Sequence, residues 1–147
     1  MKDFDKLFDL EGLKKDIDEV QNNSGYEDVP FGDYEVKIEK IELTESKKGD
    51  PMVSIWFRVV AGDFKNSMIF YNKLVNDGKP IYFNNLFLKS LNSGLDIKFN
   101  TYADYAQLLS DIYVAVDGTY EYLLSYGQNS KGYNTYEIKD VFTLTQN

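Results

Sequence analysis

Cysteine and histidine are both absent from the 147 residues, and each absence removes a block of chemistry. No disulfide can form. Zinc sites built on Cys and His are excluded, as are thiol nucleophiles and any triad or proton shuttle that depends on imidazole. An enzyme on this chain would have to work with carboxylates, Lys, Tyr or a hard metal ion. Long apolar runs are missing too. None approaches the ~20 residues that cross a bilayer, and the N-terminus has no signal-peptide apolar core. The chain therefore reads as soluble and cytoplasmic, without a membrane partner. Glycine-rich phosphate loops and calcium-loop spacings are also lacking. The acids do not assemble into an active site: Asp3, Asp5, Asp9, Asp16, Asp18 and Glu19 read as the solvated face of a helix. Glu39, Glu42 and Glu45 on one strand end have no further ligands around them. The expectation is a non-catalytic protein with no metal and no cofactor.

Aromatic residues are abundant, with 12 Tyr, 10 Phe and 1 Trp, which favours strands over a helical bundle. The length suits one domain with its own core. The net charge of -8 opposes binding to a polyanion, but its distribution qualifies that sum. Residues 1–35 hold 4 Lys and 11 acids, whereas residues 36–79 hold 7 Lys, Arg58 and 6 acids. Most of the excess negative charge thus belongs to the N-terminal leader.

Apolar residues from Phe4 to Val20 recur at helical spacing, so residues 1–25 form an acidic, amphipathic leader. Residues 26–147 then form a single domain. Strand one runs about Asp33–Leu43, with Tyr34, Val36 and Ile38 alternating against charges; the apolar register then slips to Ile41 and Leu43, indicating a bulge near Lys40. After a polar turn, Met52–Val60 sets Val53, Ile55, Phe57 and Val59 against Trp56 and Arg58. Strand three is assigned to Phe64–Leu74, with both faces apolar at its centre. Helical periodicity follows over Pro80–Leu91 and Thr101–Ile112, with Asn100 or Thr101 as cap. Strand four is expected from Tyr113 to Tyr126, then a loop at Gly127–Gly132, then strand five at Tyr133–Leu144. Three strands, a helical insert and two strands make the chain order of a five-stranded OB-fold, a Greek-key barrel that binds oligonucleotides across strands two and three.

On that barrel Trp56 and Arg58 would face outward, the ring to stack on bases and the guanidinium to hold phosphate. The alternative is that Trp56 packs under the N-terminal helix or a loop, with Arg58 as its polar neighbour. Phe70 and Tyr71 on strand three would extend the platform. Lys37, Lys47, Lys48, Lys65 and Lys131 would follow the phosphate backbone. Tyr126 and Tyr133, beside the last loop, are candidates to stack on further bases.

The run VPFGDYEVKIEKIEL (residues 29–43), the turn SKKGDPMVSIWFR (residues 46–58) and KNSMIF (residues 65–70) together resemble a family of small phage and prophage proteins. That family belongs to replication and recombination modules and is regarded as single-stranded-DNA-binding-like with an OB-fold. The resemblance implies a non-catalytic protein of the bacterial host cytoplasm that binds single-stranded DNA with little sequence preference. It also implies a phage recombinase or helicase as partner, and leaves open a homo-oligomer. In the leader, Phe4 and Phe8 amid acids form a candidate partner-docking element. The rival reading is an acidic phage protein-interaction module, a DNA mimic or replication-partner adaptor, that binds no DNA.

Overall fold

The alternation Tyr34, Val36, Ile38 does become a strand, and the slip after it becomes a bulge. The computed structural model describes residues 29–144, so the expected leader helix, with Phe4 and Phe8, lies outside the described residues. Five strands form one antiparallel sheet: β1 (Gly32–Glu45), β2 (Pro51–Val59), β3 (Met68–Leu74), β4 (Tyr120–Gln128) and β5 (Asn134–Thr143). Two helices, α1 (Gly78–Ser90) and α2 (Tyr102–Val116), stand between β3 and β4. The strand order across the sheet is β3-β2-β1-β4-β5.

The long first strand serves both halves of the sheet. Gly32–Val36 pairs with β4, and Val36–Glu45 pairs with β2. Between Ile38↔Phe57 and Lys40↔Trp56 the register skips Glu39, which is the bulge. One extra residue resets the two-residue period, so Val36, Ile38 and Ile41 can all point inward. They meet Val53, Ile55, Phe57 and Val59 of β2, Ile69 and Tyr71 of β3, and Tyr122 and Leu124 of β4. Fully burying an apolar side chain of this size contributes roughly 1.5–3 kcal/mol.

Two boundaries differ from the sequence prediction. Phe64–Ser67 is a turn rather than the start of β3: Lys65 N–H donates to Gly62 O, and Asn66 takes a left-handed φ of 77°. Asn tolerates that conformation better than most residues because its short side chain bonds locally. The second helix also runs on to Val116, past the point where strand four is predicted. β-Branched Val114 and Val116 favour a strand locally. However, Tyr105, Leu109, Ile112 and Val116 fall on one helical stripe and are all buried against the sheet, which outweighs a few tenths of a kcal/mol of propensity. Gly118, at φ 71°, then turns the chain into β4. The first helix begins two residues before the predicted Pro80, where Asp77 accepts from Gly78 N–H, and at the second the predicted Thr101 caps, its Oγ1 accepting from Asp104 N–H at 3.1 Å.

β3 and β5 are the two sheet edges, and both run parallel to β1. Side chains draw them together. The Tyr136 hydroxyl donates to the Phe70 carbonyl at 2.6 Å, and its ring meets Tyr71 edge-on at 5.0 Å. Helix α1 touches both edges, with Phe87 stacked on Tyr71 at 4.6 Å. Beneath them runs a buried polar chain in which Tyr71 donates to Asn84, Asn84 to Tyr105, and Tyr105 to Asn85. No helix among the described residues is long and apolar enough to cross a membrane.

Candidate nucleic-acid interface

The outer face of β1–β2–β3 is organised in cross-strand rows. The register places Lys40 opposite Trp56 and Trp56 opposite Phe70. Lys40 Nζ lies 4.6 Å from the Trp56 ring centroid, and Phe70 meets Trp56 edge-on at 5.5 Å. Trp56 and Phe70 are half-buried on the side of the sheet opposite the core. The Trp56 ring therefore belongs to the outer face, laterally fixed by a cation and a second aromatic.

One row along, Arg58 lies between Lys37 of β1 and Met68 of β3. Its Nε and Nη2 donate to the two carboxylate oxygens of Glu39, and Nη1 donates to the Asn66 carbonyl at 2.7 Å. The bulge is what brings Glu39 there. The Arg58 hydrogen bonds hold the Glu39 carboxyl below the usual carboxylate range, and they outweigh the opposing effect of partial burial. The guanidinium expected to meet phosphate is thus engaged in a fork with its own chain.

In the other direction the row is Glu42, Ser54 and Asn72, with the Ser54 hydroxyl donating to Asn72 Oδ1 at 2.9 Å. Beyond it lies the β1–β2 loop with exposed Lys47 and Lys48. Lys65 lies in the β2–β3 turn at the opposite end of these strands, so the expected lysines stand on the two sides of the cross-strand aromatic row, beyond the strand ends. Among the described residues Lys47, Lys48, Lys65 and Lys131 make no ion pair, whereas Lys37 and Lys40 pair with Glu39 and Glu42.

Tyr71 is placed otherwise than predicted. It is 5 % exposed and faces the core, because adjacent residues of a strand point to opposite faces and Phe70 takes the outer one. Burial raises its phenol well above the ordinary value of 10.0. Tyr126 is half-buried at the seam, stacked on Tyr136 at 5.5 Å and edge-on to Phe31 at 5.1 Å.

Tyr133 is 69 % exposed at the end of the β4–β5 loop. Asn129 fastens that loop, accepting from the backbone N–H groups of Lys131 at 2.9 Å and Tyr133 at 3.0 Å. Polar residues at the β3–β5 seam, Asn72, Lys73 and Asn134, escape sequence reasoning because only the pairing of distant strands brings them together. The Lys40–Trp56 contact carried a signal, since it follows once one residue is skipped at the bulge. Among the described residues no three or more acids gather in a group that could hold a metal ion.

The chain belongs to the family described as Protein of unknown function (DUF669), which matches residues 15–122. No curated protein matches it.

Proposed function

We propose that this DUF669 member is a non-catalytic single-stranded-DNA-binding protein whose barrel is of the OB type. One observation carries the reading: the row of Lys40, Trp56 and Phe70 on the outer face of β1–β2–β3, flanked beyond the strand ends by lysines that make no ion pair among the described residues. The strand order, the shared and bulged first strand and the near approach of β3 to β5 support the OB assignment. The resemblance to phage replication and recombination proteins supports the choice of ligand. Trp56 and Phe70 would stack on bases, which tolerates any sequence, while Lys47, Lys48, Lys65 and Lys131 would hold phosphates.

The test is a low-salt titration of labelled single-stranded oligonucleotide with the unmodified protein and with Trp56→Ala. The variant should lose about 1–3 kcal/mol of binding, the stacking of one base. Affinity should fall steeply with added salt as counterions are released. Equal binding of duplex, or no binding at low salt, would refute the proposal. A protein-interaction module is the second reading, favoured by exposed Tyr82, Phe83 and Leu86 on α1. It requires that no oligonucleotide binds.

A further inference from the structure

We propose that the trough along the β3–β5 seam is a nucleobase subsite, in which Asn72 donates to, and Asn134 accepts from, the polar edge of an unstacked base. The inference rests on the single-strand reading above and adds base discrimination to it. The seam carries two adjoining cavities of ≈ 660 Å³ each, which share Asn72, Lys73, Tyr133, Asn134 and Tyr136 in their walls. Each is within the range of small-ligand sites, about 300–1,000 Å³. The first also includes Phe70, so a strand stacked across the Trp56 row arrives at the trough without leaving the surface.

The polar groups in the walls have a defined sense. Asn72 Oδ1 already accepts from Ser54, which leaves its amide NH₂ to donate. Asn134 Nδ2 donates to the Tyr126 hydroxyl at 3.4 Å, which leaves its Oδ1 as an acceptor. A donor on one wall and an acceptor on the other match the neighbouring acceptor and donor on a base edge. Two more features suit a base. Tyr133 is an exposed ring at the rim, and the loop bearing it is pre-ordered by Asn129, so little ordering is needed on binding. The floor is Tyr136, an aromatic face fixed by its bond to the Phe70 carbonyl. The cations here, Lys73 and the neighbouring Lys131, suit a phosphate passing the rim.

The experiment compares dT, dC and dA homopolymers of about 16 nucleotides, the upper footprint of one such barrel, at fixed salt. The unmodified protein should separate the best from the worst by at least about threefold. Asn134→Ala and Asn72→Ala should each narrow that spread, one lost hydrogen bond being worth about 2- to 12-fold. Trp56→Ala should weaken all three homopolymers while keeping their order. Circular dichroism checks the fold. Because Asn134 is exposed, its variant decides the matter even where Asn72→Ala does not fold. Equal affinity for all three, or a spread unchanged in Asn134→Ala, overturns the subsite and leaves single-strand binding standing. If no homopolymer binds at low salt, the underlying reading falls with it.

Discussion

Asn84→Ala should be among the most damaging single substitutions in the described fold, although the residue lies in the core and away from the outer aromatic row. Asn84 is 0 % exposed, accepts from the Tyr71 hydroxyl at 2.7 Å and donates to the Tyr105 hydroxyl at 2.7 Å. Its removal affects the two tyrosines unequally. Tyr105 keeps Asn85 as acceptor, whereas the Tyr71 hydroxyl is left buried without a partner. An orphaned buried donor costs about 1–3 kcal/mol, and the lost bond to Tyr105 about 0.5–1.5 kcal/mol. A total of ~2–4 kcal/mol corresponds to a fall of roughly 5–15 °C in Tm for a domain of this size. Urea unfolding followed by Trp56 fluorescence and by circular dichroism measures it. Tyr71→Phe should cost about 1 kcal/mol in the native background but nothing in Asn84→Ala, because there it removes the orphan. A loss below about 1 kcal/mol for Asn84→Ala, or equal cost of Tyr71→Phe in both backgrounds, would refute the reasoning.

Glu39→Gln should raise affinity for single-stranded DNA by a few-fold and steepen its salt dependence, since a carboxylate is removed beside Arg58 and Lys37. For single strands each additional phosphate contact adds about 0.7 to the slope of log K against log salt, so an unchanged slope would count against an Arg58 role. Tyr136→Phe should cost about 0.5–1.5 kcal/mol and speed hydrogen exchange along β5, because it removes the hydroxyl that bridges the seam to Phe70; unchanged exchange would show the seam to be held by packing alone. Burial holds the phenols of Tyr71 and Tyr122 above the ordinary 10.0. In the unfolded chain they deprotonate at that value, so their contribution to stability is complete below about pH 10 and is lost as the pH rises further. Stability measured against pH should therefore fall on the alkaline side, with the buried tyrosinate signal appearing only together with unfolding.

The legible parts of this protein were those governed by local period and local caps. The two-residue alternation of Val53, Ile55, Phe57 and Val59 against Trp56 and Arg58 determined which face of β2 is buried, and it holds in the structure. The apolar slip after Ile38 located the bulge to within a residue. Thr101 announced the start of the second helix. Where local cues conflicted, they misled. The β-branched run after Ile112 looked like a strand, yet its burial stripe is helical. Phe70 and Tyr71, equally apolar in sequence, could not be assigned to faces until the register with β2 was known.

Partnership was the work of the tertiary structure. That Arg58 forks onto Glu39, that Lys40 covers Trp56, and that Asn72 and Asn134 share a trough all depend on strands brought together from distant parts of the chain. A side chain's face follows from the residues beside it in sequence. Its partner follows from cross-strand register and from the approach of β3 to β5, which only the folded sheet supplies. The face of β2 that carries Trp56 was therefore determined by the sequence alone, and what surrounds its ring was decided by the fold.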